Sequence, residues 1–425
     1  MHGTLLAMTT RDFVAHAAAD ALAKIAEPGA ALVGFDGFID SILHMVDVRT
    51  DMSPTGYKRL TTISAFAARC AAAAGRSTNI EQVLMEDRFG GNGPLMAGAL
   101  GRLGMDVTYI GAVAGIGAVA GGGGGGGSGG VEGKGEVHPV FAPFARRCNA
   151  VWAVAPPSRT DCLEFEDGKL MFNNTANIQD VTWDRLVERV GLDTITAMVE
   201  HSTLLGIVNW SLQGGIPGIW LGLMRDVFPQ LREVGTGGGA DAGGHAGKRS
   251  KRVFIDLSDP AKRTDGDIAD ALELLTRLEK TGAVRVTLGL NLSEATRIAA
   301  VAGVNAFGKQ TNITMGDGLV LAAKAIRERL QLDCVVVHPR EGAAAADAAG
   351  HAAWFEGPFT AHPKLSTGAG DHFNGGFAFA QVNGLPLEGC LAAACATSGA
   401  YVRNAESPTR ERLISFLRNL PITQR

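Results

Sequence analysis

Aromatic residues are scarce in this chain: Phe, Trp and Tyr supply 6% of its 425 residues. Small and aliphatic side chains must therefore fill the interior. Cysteine is sparse too, with Cys70, Cys148, Cys162, Cys334, Cys390 and Cys395 scattered and forming neither a CxxC pair nor a spaced ligand set. That argues against a disulfide scaffold or a zinc ribbon and predicts small buried thiols in a reducing compartment. Dense basic clusters are almost missing. Lys248, Arg249, Lys251 and Arg252 form the one run, and no aromatics interleave with it. With a formal net charge of -4, no nucleic-acid partner is expected. No apolar run is long enough to span a bilayer, and no signal-peptide pattern opens the chain. The expectation is a cytoplasmic protein without a membrane partner.

What the chain does have is hydrophobic residues, 46% of the total, and 57 glycines. Such a mix suits helices packed closely over a parallel sheet. Short apolar runs recur at Ala31–Phe35, Asp106–Gly111, Leu204–Asn209, Val253–Asp256, Val284–Leu288 and Cys334–Val337. Continuous apolar runs of this length predict strands buried on both faces. Helical patterns lie between them, at Pro94–Leu103, Ile268–Thr281 and Gly318–Leu330. The alternation predicts a doubly wound α/β layer, with ligands outside the carboxyl ends of the strands. Asp36, Asp256, Asp259 and Asn291 fall at such ends. Val151–Phe172 breaks the pattern: it reads as a hairpin with Asp167-Gly168 as turn signal, extra to the main layer. Segments 115–136 and 235–250 are glycine-rich and read as flexible insertions.

A glycine-rich chain generates spurious phosphate loops. Gly115-Ile116-Gly117 follows a strand, but polyglycine replaces the helix a dinucleotide fingerprint needs. Gly133-Lys134 and Gly247-Lys248 lack both the leading glycine and the Ser or Thr of a P-loop. Gly368-Ala369-Gly370-Asp371 is different, because the helix-compatible stretch His372–Ala380 follows it. A small-residue turn opening a helix presents unpaired N–H groups and a positive dipole end to an anion. A helix-start charge is an equally good account of Asp371 at this level.

Three segments together resemble the ribokinase (pfkB) family of carbohydrate and nucleoside kinases. Ser366-Thr367-Gly368-Ala369-Gly370-Asp371-His372-Phe373-Asn374-Gly375-Gly376 resembles its C-terminal signature. Gly90-Gly91-Asn92-Gly93-Pro94, running on to Leu103-Gly104, resembles its N-terminal one, and Asn291-Leu292-Ser293-Glu294 its Asn-x-x-Glu motif. They occur in the family's order. The resemblance implies one kinase domain over 1–425, a three-layer α/β/α sandwich with a mainly parallel sheet. It also implies a small β lid, with strands expected within 40–65 and 137–175.

The resemblance further implies ATP with Mg²⁺, and a nucleotide and a sugar-like acceptor as small-molecule partners. Asp371 would be the base, and the amides of Gly368, Ala369, Gly370 and Asp371 the anion hole. Asn291, Gly342, Thr367 and Asn374 would serve the nucleotide. Glu294 would serve Mg²⁺ through water, although Asn291 and Glu294 also fit a helix capping box. Asp36, Asp40, Gly91 and Asn92 would meet the acceptor. A lid-mediated homodimer is also implied.

Departures from the pattern matter. Asn92 and Leu95 stand where ribokinases carry Lys and Asn, which argues against ribose as acceptor. His338-Pro339-Arg340-Glu341-Gly342 replaces the usual nucleotide loop. Gly34-Phe35-Asp36-Gly37-Phe38-Ile39-Asp40 looks closer to the Gly-x-Asn-x-Asn-x-Asp pattern of ADP-dependent sugar kinases, with Asp40 as its aspartate. ATP and ADP therefore both remain open as donors.

Overall fold

Strands buried on both faces set the architecture. In the computed structural model, which describes residues 10–115, 135–231, 251–307 and 313–424, such strands form the middle of a nine-stranded sheet. The strands in chain order are β1 (Ala30–Phe35), β2 (Phe38–Arg49), β3 (Tyr57–Arg59), β4 (Gln82–Gly90), β5 (Asp106–Gly111), β6 (Ala150–Ala153) and β7 (Ser158–Phe165). There follow β8 (Gly168–Asn174), β9 (Leu204–Val208), β10 (Lys251–Asp256), β11 (Val284–Asn291), β12 (Cys334–His338), β13 (Gly342–Asp347) and β14 (Ala352–Glu356). The main sheet runs β14-β13-β12-β11-β10-β9-β1-β5-β6. Every pair from β6 to β12 is parallel, and β13 and β14 add an antiparallel edge.

Side chains alternate between two cores along each strand. Leu32, Leu205, Ile207, Val253 and Ile255 face one, while Ala31, Val33, Leu204, Val208 and Phe254 face the other. Helices Trp183–Val190, Ile216–Gly222, Asp265–Lys280 and Met315–Leu330 cover the first face. Helices Thr10–Ala23, Asn92–Arg102, Ala369–Val382 and Leu387–Asn404 cover the second. The result is the three-layer sandwich. Small residues make the second layer possible. A Cβ on Gly375 would lie 3.1 Å from that of Ala99, and one on Gly376 would lie 2.5 Å from Thr397 Oγ1 and 3.0 Å from Ala394 Cα.

A second, five-stranded sheet stands apart. Its path is β3-β2-β7-β8, with β4 also paired to β2. Its own small core contains Leu43, Met45, Leu60, Leu163 and Phe165. The hairpin expected over Val151–Phe172 is narrower than its pattern: β7 and β8 form it, with Phe165 opposite Gly168. Val151 belongs to β6 in the main sheet, beside Tyr109. Strand β4 falls outside 40–65 and 137–175, the two windows where lid strands were expected; both its faces are largely solvated, so no apolar pattern marks it.

The glycine-rich segment 235–250 lies outside the described residues, as does nearly all of 115–136. Four of the six cysteines are buried, whereas Cys70 is exposed and Cys148 is half-buried. Among the described residues no helix is long and apolar enough to cross a membrane.

Close helix packing yields the first prediction. Gly376→Ala should lower stability by about 1–3 kcal/mol, since overpacking forces neighbours apart. Gly218→Ala, at an exposed helical site with nothing within 4 Å of the new Cβ, should be neutral or stabilising by up to ~1 kcal/mol. Thermal melts of the two variants test this, and a melting point for Gly376→Ala at or above that of Gly218→Ala would refute it.

Candidate active site

Five neighbouring strand ends carry polar residues in sheet order. Asp36 follows β1, Asn209 follows β9, Asp256 ends β10, Asn291 ends β11 and His338 ends β12. The helices Asn92–Arg102 and Ala369–Val382 begin above them.

Asp36 is fully buried. Its carboxylate accepts the Asn92 N–H at 2.9 Å, the Gly93 N–H at 2.8 Å and Asn209 Nδ2 at 2.6 Å. Burial pushes its pKa up to about 6, and the three donors restrain that rise. Asn209 pairs through a left-handed backbone conformation, with φ of 62°. The double glycine has two separate causes. Gly91 has φ of 102°, while a Cβ on Gly90 would run into the Asp40 carboxylate. Asp36 thus shapes the loop from within, and Asp40 on β2 lines the lid side. Burial raises Asp40 to about 6, while Thr160, Lys169 and Arg88 pull it back.

Asn92 joins the two halves of the site. Its backbone is held by Asp36, and its Nδ2 donates to Asp371 Oδ1 at 2.9 Å. Asp371 sits in the first turn of its helix after Gly368, whose φ is 86°. Burial, then the charge of Asp256, raises the Asp371 pKa well above the carboxylate range; the Asn92 bond opposes this, and Asp36 adds to it. The Ala369 N–H closes the turn on Ser366 O at 3.2 Å. Gly370 and Asp371 follow as first-turn amides without an intrahelical acceptor.

Glu294 and Asn291 form the reciprocal capping box. Glu294 Oε2 accepts the Asn291 N–H at 2.8 Å, and Oε1 accepts Asn291 Nδ2 at 2.6 Å. Burial raises the Glu294 pKa, and Asp256, Asp259 and Asp371 push it further. Asn374, expected at the nucleotide, is buried, and its Nδ2 donates to Asp256 Oδ2 at 2.6 Å.

Beyond the turn opens a cleft of roughly 360 Å³, lined by Asn291, His338, Gly342, Phe359, Gly370 and Phe373 among others. His338 stacks on Phe373 with centroids 4.4 Å apart, and burial lowers its pKa to about 4. Asn291 and Gly342 therefore line this cleft. Thr367 does not; its Oγ1 accepts Lys169 Nζ from the lid at 3.0 Å. Gly342 also has a packing reason, since a Cβ there would collide with the Phe355 carbonyl oxygen.

Sequence reasoning missed Asn209, Lys169 and the buried His372. An Asn directly after an apolar strand was the available signal for Asn209. Nothing local marks Lys169.

With its cleft at the strand ends on one side of the Asp371 turn and the small β sheet on the other, the molecule is a ribokinase-like carbohydrate kinase. Solved structures share this fold. An Arabidopsis thaliana ribokinase complexed with ribose and ATP has a TM-score of 0.56 at 15% identity, covering 92% of this chain and 98% of that one. A mutant of Escherichia coli phosphofructokinase-2 gives 0.57 at 15% identity, covering 92% and 99%. The prokaryotic ketohexokinase family model matches residues 6–116 and 130–420, so the chain belongs to that family. A ketohexokinase of Haloferax volcanii is 28% identical over 403 residues, 93% of each chain.

The buried Asp36 generates a pH-dependent prediction. Its folded pKa is raised, so its contribution to stability is largest below the unfolded value and falls as pH rises through about 6. Asn209→Ala removes a donor and raises that pKa further. The variant should lose about 1–3 kcal/mol, and more at pH 8 than at pH 5. Denaturant unfolding at both pH values measures this; an equal loss at both would show that Asn209 does not stabilise the ionised carboxylate.

Proposed function

We propose that this carbohydrate kinase moves the terminal phosphoryl group of ATP to a hydroxyl of a ketohexose. The contact of Asn92 Nδ2 with Asp371 Oδ1, 2.9 Å, carries the reading, because it sets the base where the acceptor side meets the cleft. Family membership and the Haloferax volcanii ketohexokinase support the acceptor class.

In this mechanism Asp371 accepts the proton of the acceptor hydroxyl. The hydroxyl oxygen bonds to phosphorus as the bond to the departing ADP oxygen breaks. A carboxylate whose proton affinity is raised by burial suits that task. The Gly370 and Asp371 amides, with the helix dipole behind them, face the charge on the phosphoryl group. Asp40 accepts hydrogen bonds from sugar hydroxyls, while Gly91 and Asn92 wall the acceptor. Asn291 and Gly342 border the nucleotide. Thr367 and Asn374 act at one remove, through Lys169 and Asp256.

Mg²⁺ fits the charge of the site. Asp256, Asp259 and Asp371 lie close enough to Glu294 to raise its proton affinity, and Asp256 and Asp36 do the same to Asp371. Among the described residues no three His, Cys, Asp or Glu side chains converge tightly enough to hold a metal directly. A hydrated Mg²⁺ reached through water suits so open a set, with Glu294 and Asp256 as its holders. When bound it would supply positive charge to the phosphate oxygens.

The lid supports a homodimer. Its outer strands β4 and β8 expose Leu84, Met85, Met171 and Phe172, and an exposed apolar edge calls for a cover. A second copy of the lid is the proposed cover. Phe172→Glu should then convert a dimer to a monomer in sedimentation velocity, and a wild-type monomer would sink the proposal.

Asp371→Asn should cut turnover by at least about 10²–10⁴-fold while nucleotide affinity holds. Asp40→Ala should raise the acceptor KM on the order of tenfold or more, given the worth of a charged hydrogen bond, with the nucleotide KM little changed. A coupled assay of ATP and ADP against fructose, other hexoses, sugar phosphates and nucleosides checks the class. Equal turnover by Asp371→Asn, or activity confined to nucleosides or to ADP, would overturn it.

A further inference from the structure

The catalytic turn is held from behind by two stacked rings. His372 is buried. Its Nδ1 lies 2.7 Å from Gly368 O, which also accepts the His372 N–H at 3.0 Å. A carbonyl can only accept, so Nδ1 carries the proton. Nε2 of the neutral ring then accepts from Ser407 Oγ at 2.7 Å. Burial pushes the His372 pKa down to about 4, in keeping with a neutral ring. The imidazole stacks on Tyr401, with centroids 3.5 Å and planes 13° apart. The Tyr401 hydroxyl in turn donates to Thr367 O at 2.8 Å. Arg102 Nε holds the Ser407 carbonyl at 3.2 Å, which anchors the far end.

Two adjacent carbonyls of one turn therefore have side-chain donors from two helices. A peptide group is planar, so fixing its carbonyl also fixes the N–H of the next residue. The planes 367–368 and 368–369 carry the N–H groups of Gly368 and Ala369, so they set the direction in which the helix starts and hence where the next amides, of Gly370 and Asp371, are presented. A buried imidazole needs partners for both ring nitrogens wherever it sits. What singles out His372 is where they lie, since Nδ1 bonds the Gly368 carbonyl of the turn itself and Nε2 meets Ser407 on the far side.

We propose that His372, held by Ser407 and stacked on Tyr401, is a positioning residue that fixes the peptide planes of the catalytic turn, so that its first-turn amides meet the transferring phosphoryl group. This rests on the reading of the Asp371 turn as the transfer centre.

The test compares His372→Leu, His372→Asn and His372→Gln in the full chain. The Asn amide can take the place of Nδ1–H, whereas the Gln amide reaches toward Ser407 instead. His372→Leu should lower kcat by about 10–100-fold, somewhat less than loss of an anion-hole donor itself, with both KM values within about threefold. His372→Asn should recover most of the kcat, and His372→Gln should not. Binding of ADP with Mg²⁺ and aluminium fluoride, a mimic of the phosphoryl in flight, should weaken in parallel with kcat, while ADP alone binds as before. A folded His372→Leu enzyme with wild-type kcat would overturn the proposal. So would Asn and Gln variants of equal kcat, or equal weakening of ADP and of ADP with aluminium fluoride. Should the Leu variant fail to fold, the Asn and Gln pair decides alone. An active Asp371→Asn would sink the transfer-centre reading; an inactive one beside unaffected His372 variants would sink this inference only.

Discussion

Asp36 is a charge-capable group placed wholly inside the protein at the carboxyl end of β1, and the site is built outward from it. A buried carboxylate is costly unless donors surround it. Here the donors come from the Asn92 and Gly93 amides and from Asn209, so one carboxylate ties β1 to β9 and to the start of the Asn92–Arg102 helix. The glycines follow from it. A Cβ on Gly93 would lie 2.7 Å from Asp36 Oδ1, and one on Gly91 3.1 Å from Oδ2. With the loop fixed, the Asn92 side chain is left at one place, against Asp371. The position of Asp371, the proposed base, thus depends on a carboxylate wholly inside the protein.

Much of this could be read from the residues in order. The apolar runs marked the parallel strands because burial on both faces leaves no room for polar alternation. Asp371 stood out only when its Gly-Ala-Gly turn was taken with the other two segments of the resemblance, since locally a helix-start charge accounts for it equally well; the structure buries it in the first turn, against Asn92. Gly90-Gly91 was readable as a pair, yet its two causes were not, since one is a backbone angle and the other a carboxylate from β2. Asn374 was placed near phosphate by resemblance, and its bond to Asp256 depends on β10 lying beneath the helix. Strand β4 was hidden because a lid strand solvated on both faces has no periodicity to detect. Lys169 was hidden because its contact with Thr367 spans 198 residues.

The strand ends concentrate negative charge. Asp36, Asp40, Asp256, Glu294 and Asp371 all have raised proton affinity, and burial is the first cause in each case. Mutual repulsion then adds to it at Glu294 and Asp371. Such a set is poorly compensated by the protein alone. Lys169 and Arg88 offset Asp40 on the lid side, whereas the charges that act most strongly on Glu294 and Asp371 are other carboxylates. A divalent cation arriving with a nucleotide would relieve that repulsion where it is greatest.

The lid completes this logic mechanically. Lys169 reaches from β8 to the side chain of Thr367, and Tyr401 holds the carbonyl of the same residue from the Leu387–Asn404 helix. Lid and sandwich therefore meet on the residue that precedes the Gly368–Asp371 turn. The same Lys169 acts on Asp40, so one cation links the lid carboxylate to the residue before the turn. Phosphoryl transfer gains chiefly from such positioning, because the reacting oxygen and phosphorus must be aligned before charge can be stabilised.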